Sequence, residues 1–212
     1  MIVHTETDVA VDYLQRYYAE GEDGKPSYTG SRFESMATLN TDPFAIGPED
    51  FVAVSMLSVD VPPEAAIRLL GPDAPAIRRQ LSEIPVAMDI VDVDPAALGP
   101  GSPAGQLWEL LRQGGDRLGP TKTSKLLAAK RPRLLPIWDS FVDRATGLET
   151  SVGYWQKFQI VLTDDQRRVW EWLGTLRPLA PSMPDLIPEL RILDVLLWMS
   201  VRSRGDRNAA RP

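Results

Sequence analysis

The chain has no cysteine among its 212 residues, and His4 is its only histidine. Without cysteine there is no disulfide, no thiol nucleophile and no Cys-ligated zinc or iron–sulfur cluster. A single histidine close to the amino terminus argues against a Ser-His-Asp triad and against a His-based metal site. We therefore predict neither a metal ion nor another cofactor.

The sequence also lacks long apolar runs. No segment reaches the roughly 18 apolar residues that suggest a membrane-spanning helix. The first residues, MIVHTETDVAVDYL, do not show a basic segment followed by an apolar one, which is the pattern of a signal peptide. We expect a cytoplasmic protein that has no membrane partner.

Strand patterns are scarce, whereas short segments with helical periodicity, separated by proline and glycine, are frequent. With 43% hydrophobic and 25% charged residues, the composition is that of an ordinary globular protein. These features predict an all-α or mainly α fold, a compact multi-helix bundle in two lobes. The lobes are predicted at 1–98 and 99–201, followed by a disordered tail at 202–212, and one continuous domain is the alternative.

Positive charge is concentrated between Arg112 and Arg133, where seven basic residues accompany one acidic residue, Asp116, although the whole chain has a net charge of −6. Such segregation suits a protein that binds a polyanion with one face. A solvated basic helix face is the simpler explanation.

The same region has the pattern of two helices joined by a tight turn at 117–120, then a third helix entered at Asp139. Gly119 is expected to permit the turn, and Pro120 suits the first turn of a helix. Backbone N–H groups at such a helix start can hold a phosphate. An ordinary pair of antiparallel helices also has glycine or proline at its turn.

Residues 110–148 resemble the helix-hairpin-helix DNA glycosylases, the superfamily of endonuclease III. Gly119 falls on the second hairpin glycine of that family and Thr123 on a small residue of the following helix. Asp139 lies 20 residues after Gly119, where the family has its catalytic aspartate. The whole chain also resembles an uncharacterised bacterial family that shares its Lys-Arg-Pro-Arg-Leu-x-Pro segment, which implies no known activity.

The glycosylase resemblance implies that Asp139 stabilises the oxocarbenium-like sugar formed as an N-glycosidic bond breaks, and that it orients or deprotonates the attacking water. It also implies that the hairpin holds DNA while a nucleotide is flipped into a pocket. The alternative is that Asp139 only caps a helix. The candidate residues are Asp139 for catalysis, Trp138 and Ser140 for the pocket, and Arg117, Gly119, Thr121, Lys122, Lys125, Lys130 and Arg131 for nucleic-acid binding.

Two positions depart from the family pattern. Arg117 stands where the first hairpin glycine belongs, and Thr121 stands where bifunctional members have their Schiff-base lysine. Lys122 is one residue late and is rotated by about 100° around the helix. The comparison therefore implies a hydrolase without lyase activity.

Two classes of function remain open. One is a monofunctional glycosylase-like enzyme, and the other is a non-catalytic module that uses the hairpin to bind nucleic acid or an acidic protein partner. The sequence leaves the oligomeric state undetermined. Earlier in the chain, Tyr28, Arg32 and Phe33 are candidates for a nucleotide pocket or for core anchors.

Overall fold

The computed structural model describes residues 6–209, which form a helical bundle and contain no strand, only an isolated bridge between Glu20 and Pro26. The predicted mainly α fold is confirmed. His4 lies outside the described residues. The α-helices are α1 Thr7–Tyr17, α2 Phe33–Ala37, α3 Pro48–Met56, α4 Pro63–Leu70, α5 Ala74–Glu83, α6 Pro103–Arg112, α7 Pro120–Lys130, α8 Ser140–Thr146, α9 Tyr154–Leu176 and α10 Glu189–Ala209.

Proline fixes where several of these helices start. The first residues of α3, α4, α6 and α7 are Pro48, Pro63, Pro103 and Pro120. Proline suits this position because its φ angle is already helical and the first N–H groups of a helix have no partner inside it. The prolines spaced along the sequence therefore mark the starts of a series of short helices.

The last two helices differ in part from the sequence pattern. The backbone of α9 leaves the helical conformation between Asp164 and Arg167, so α9 consists of two helical segments. The last helix, α10, continues to Ala209 and so enters the segment for which a disordered tail was predicted. No helix of the described residues is long and apolar enough to cross a membrane.

The buried side chains form one hydrophobic cluster that draws on both predicted lobes, for example Leu14 and Leu69 from the first and Leu126 and Leu196 from the second. Across the predicted boundary, α3 packs against α7 and α1 packs against α10. The two halves therefore share one core, and the site described below lies between them.

Arg131 is the largest side chain that is fully buried among the described residues. It follows α7, and its guanidinium donates hydrogen bonds to the backbone carbonyls of Leu81, Ile84, Pro43 and Lys130. Burial lowers the pKa of Arg131 to about 10, so the side chain stays charged at neutral pH. Arg131 thus satisfies carbonyls at the end of α5 and in the loop before α3.

Candidate functional site

Asp139 is the N-cap of α8. Its Oδ1 atom accepts hydrogen bonds from the backbone N–H groups of Phe141 at 2.9 Å and Val142 at 3.0 Å. The second oxygen, Oδ2, takes no part in this cap and lies 3.8 Å from Nζ of Lys125. The capping role considered from the sequence is therefore present, and it uses only one of the two carboxylate oxygens.

The residue before Asp139 is tied to α7. The Trp138 N–H donates to Oγ of Ser124 at 3.0 Å, and Oγ of Ser124 lies at 3.0 Å from the Trp138 carbonyl. Ser124 is fully buried. This contact fixes the position of Asp139 relative to Lys125, which is the next residue of α7.

Two further helices hold the segment 136–138, which leads to Asp139. The Tyr154 hydroxyl of α9 donates to the Pro136 carbonyl at 2.7 Å, and the Ile137 N–H donates to Oδ2 of Asp194 in α10 at 3.3 Å. The backbone leading to Asp139 is therefore fixed by side chains of α7, α9 and α10. Such support is typical of a site whose geometry has to be maintained.

A cavity of about 100 Å³ adjoins Asp139, between the ends of α1 and α3, the 3-10 turn Thr29–Arg32, and α7, α8 and α10. Its wall carries four ionisable side chains, two acidic and two basic. These are Lys125, Asp139, Arg191 and Asp194.

One side of the cavity is aromatic. The rings of Tyr17 and Tyr28 stack with centroids 5.5 Å apart, and Trp198 meets Tyr28 edge-on at 5.3 Å. Gly30 belongs to the same wall. It packs so closely against Tyr17 that an added Cβ would collide with the tyrosine hydroxyl. A wall of this kind suits a flat, unsaturated ring.

Lys125 is buried, with only 5% of its surface exposed. Its Nζ donates to the Leu57 carbonyl at 3.0 Å and faces Asp139. Burial lowers the pKa of the Lys125 ammonium, and the Asp139 carboxylate opposes this effect. The lysine is therefore a fixed internal cation paired with Oδ2 of Asp139, the oxygen that does not cap α8.

Arg191 is committed to partners of its own. Its guanidinium donates to Oε1 of Glu34 at 2.6 Å and to the Tyr17 hydroxyl at 3.0 Å. Burial raises the pKa of Glu34, and Arg191 opposes that shift. This buried pair joins α10 to α2 and α1 at the edge of the cavity.

Asp194 has a different environment. It is 4% exposed, and its Oδ1 atom has no hydrogen-bond partner among the described residues. Burial raises the pKa of Asp194 to about 8, against the opposing effect of Arg191. The side chain is therefore a neutral carboxylic acid at pH 7.

The two predicted pocket residues lie outside the lining of this cavity. Trp138 is buried and packs against Tyr154, with ring centroids 5.2 Å apart. Ser140 is exposed, and its carbonyl accepts a hydrogen bond from Nε of Arg144 at 2.9 Å. Both predictions followed from sequence adjacency to Asp139, which does not determine on which side of the backbone a side chain lies.

The predicted nucleic-acid residues fall into two groups. Arg117 is exposed, and Gly119, Thr121 and Lys122 are partly exposed, around the link between α6 and α7. Lys125, Lys130 and Arg131 are buried. Lys130 lies 3.5 Å from Asp50, which is also buried. Lys125, Lys130 and Arg131 therefore direct their positive charge at partners inside the protein. Binding of nucleic acid stays a prediction for Arg117, Gly119, Thr121 and Lys122.

Gly119 was expected to permit the turn before α7, but its backbone conformation does not require glycine. Gly119 has a φ of −76°, and an added Cβ would meet no heavy atom within 4 Å. The left-handed positions of the link are Gly115, with a φ of 63°, and Arg117, with a φ of 61°. Arg117, which replaces the first glycine of the family pattern, thus adopts a conformation that favours glycine.

Sequence reasoning named Asp139 as a candidate but did not name Asp194, Arg191 or Ser124. Asp194 and Arg191 lie in an apolar segment of the sequence and are buried, so no local pattern marks them. Of the earlier candidates, Tyr28 lines the cavity and Phe33 is a core residue. Within residues 6–209 no cluster of three or more potential ligands could hold a metal ion.

Comparison with known proteins places the chain in a family. No curated protein matches it, and no solved structure matches it either. The expectation from sequence that the whole chain resembles an uncharacterised family is borne out. Residues 10–201 match the model of a family of unknown function, DUF6308, and the chain belongs to that family.

Proposed function

We propose that this protein hydrolyses an N-glycosidic bond of a nucleotide unit in nucleic acid, and that Asp139 acts at the sugar. The observation that carries the proposal is the divided role of the Asp139 carboxylate. Oδ1 caps α8, while Oδ2 is outside the cap and faces Lys125, and the residue as a whole lines a cavity. The likeness of residues 110–148 to helix-hairpin-helix glycosylases agrees with this role.

The chemistry needs a fixed negative charge near the anomeric carbon. As the bond to the base breaks, positive charge develops on the sugar, and a carboxylate held nearby stabilises it. The same oxygen can orient the attacking water and accept its proton. Lys125 at 3.8 Å and the α8 cap keep the carboxylate in place, so little reorganisation is needed.

The cavity supports a small, flat group rather than a whole nucleotide. Its volume of about 100 Å³ is below that of the engineered apolar cavity of about 150 Å³ that accepts benzene. The aromatic wall formed by Tyr28 and Trp198 offers ring contacts to a base that has left the stack. In this arrangement only the edge of the base enters the cavity, and the sugar stays at its mouth beside Asp139.

A second candidate function is binding without hydrolysis, to nucleic acid or to an acidic protein. The observation in its favour is that the side chain of Arg117 is 79% exposed. Lys122 belongs to the same link and, like Arg117, does not line the cavity. A phosphate or carboxylate could therefore be held by the link whatever the cavity does.

The test compares wild type with Asp139→Asn on oligonucleotides that carry modified bases, and measures alkali-labile abasic sites. Asparagine can still cap α8, so binding and fold are expected to persist while base release falls at least about 100-fold. Asp143→Asn, a change in the same helix outside the cavity wall, is the matched control. Binding without abasic product across the panel, or full activity of Asp139→Asn, would reject the enzymatic proposal.

A further inference from the structure

On the basis of the proposed function, we infer that Asp194 is a second catalytic residue, the acid that protonates the departing base. The inferred substrate class therefore includes neutral purines and pyrimidines and is not restricted to bases that already carry a positive charge. This inference deepens the same site and assigns a role that resemblance to the glycosylases does not give to any residue of α10.

The placement of Asp194 supports a donor role. It lies in the wall of the same cavity as Asp139, and it binds the backbone at Ile137, next to the Trp138 N–H that binds Ser124 of α7. Oδ2 is used to accept the Ile137 N–H, and Oδ1 has no partner among the described residues. Asp194 forms no ion pair within the described part of the chain, because the nearby Arg191 is bonded to Glu34 and Tyr17.

The two carboxyl groups have contrasting surroundings. Asp139 faces donors, namely two backbone N–H groups and the Lys125 ammonium. Asp194 is buried and receives a single backbone N–H. When two carboxyls share a site in unlike environments, one is suited to act as the base and the other as the acid.

Asp194 keeps its proton at neutral pH, because burial raises its pKa to about 8. A buried hydroxyl without an acceptor is costly, so a ring nitrogen of a bound base would satisfy it. The charged and titratable groups that act on Asp194 come from α1, α2, α7, α8, α9 and α10. They are Tyr17, Tyr18, Glu34, Lys125, Asp139, Tyr154 and Arg191.

The step balances as a hydrolysis. The bond between C1′ and the base nitrogen breaks, and its electron pair leaves with the base. The proton of Asp194 moves to a nitrogen of that base, so the base departs as a neutral molecule. Water adds to C1′ through its oxygen and gives one proton to Asp139. Proton exchange with solvent, from Asp139 and to Asp194, restores the starting state.

The acid matters only for some bases. A neutral base leaves as an anion unless it is protonated, so a proton donor lowers the barrier. A purine that carries an alkyl group on N7 or N3 is already cationic and leaves as a neutral molecule without a donor. Loss of Asp194 should therefore affect the first class and spare the second.

The experiment measures base release by wild type and Asp194→Asn from two oligonucleotides, one with hypoxanthine and one with 7-methylguanine. We expect the variant to lose at least about 100-fold on hypoxanthine and less than about threefold on 7-methylguanine. The retained 7-methylguanine activity reports that the variant is folded. Equal losses on both substrates, or no loss on hypoxanthine, would overturn the inference.

A measurement on wild type alone covers the case in which the variant does not fold. Release of hypoxanthine is expected to fall as the pH rises through about 8, whereas release of 3-methyladenine, a cation without an acidic ring N–H, keeps its rate there. Parallel profiles, or a wild type that releases only the methylated bases, would overturn the role of Asp194 while leaving the proposed function intact. Release of none of these bases would overturn the inferred substrate class, and only the absence of abasic product across the whole panel would reject the proposed function.

Discussion

Asp194 is a single buried residue whose surroundings reduce the stability of the fold. One of its oxygens accepts the Ile137 N–H, and the other has no partner among the described residues. An unsatisfied buried polar atom costs about 1–3 kcal/mol. Its carboxyl is also held neutral, because burial raises its pKa from 3.8 to about 8.

This shift predicts how the free energy of unfolding depends on pH. Between pH 4 and 8 the folded protein retains a proton that the unfolded chain releases, so stability falls as the pH rises. The advantage of Asp194→Asn over wild type should therefore grow through this window, by at most about 1.4 kcal/mol per pH unit. Urea unfolding at several pH values measures it, with the exposed Asp60→Asn as control. A difference that does not change with pH would contradict the burial of Asp194.

At this scale the sequence predicted part of the site. The capping role of Asp139 and its candidate catalytic role both followed from spacing, and the cap is observed. Asp194 could not be found because its neighbours, Leu193 and Val195, belong to an apolar helix. A polar residue inside such a helix shows its role only when the surfaces packed against it are known.

Among the elements, the link between α6 and α7 departs most from the expected geometry. The sequence predicted the turn, but the left-handed positions are Gly115 and Arg117, and Gly119 is extended. Helical periodicity also left the orientation of α7 open, because Lys122, Lys125 and Lys130 are spread around the helix. Tertiary packing buries the last two and leaves Lys122 partly exposed.

The conformation of Arg117 gives a prediction for this link. A left-handed conformation is strained for a residue with a Cβ, and the exposed contact with Glu64 at 3.9 Å adds little. Arg117→Gly should therefore raise the free energy of unfolding by about 0.5–1 kcal/mol. Arg79→Gly, inside α5, is the control and should lower it by about 1 kcal/mol. Urea unfolding of both variants checks this, and destabilisation by Arg117→Gly would count against the left-handed link.

For the whole molecule, composition and periodicity were sufficient to predict the fold class, but they could not predict which helices pack against each other. The predicted lobes share one core, since α1 contacts α10 and α3 contacts α7 across the predicted boundary. Contacts between residues so far apart in the chain leave no local pattern. The surface charge also could not be predicted from local pattern, because tertiary packing buries three of the seven basic residues between 112 and 133.

The salt dependence of DNA binding tests that surface. Each phosphate contact contributes about −0.9 to the slope of log K against log salt, so the four basic residues that are not buried allow a slope no steeper than about −4. Lys122→Glu should make the slope shallower by about one contact, whereas Lys157→Glu on α9 should not change it. Titrations at several salt concentrations measure both. A slope near −6 would mean that the buried basic residues reach the nucleic acid.

The position of α10 also affects how the site forms during synthesis. This helix supplies Arg191, Asp194, Val195 and Trp198 to the cavity, while Asp139 and Lys125 come from earlier helices. A growing chain therefore carries Asp139 long before the opposite wall exists. A message cut short before codon 189 would yield a protein with the candidate aspartate but without the enclosure around it.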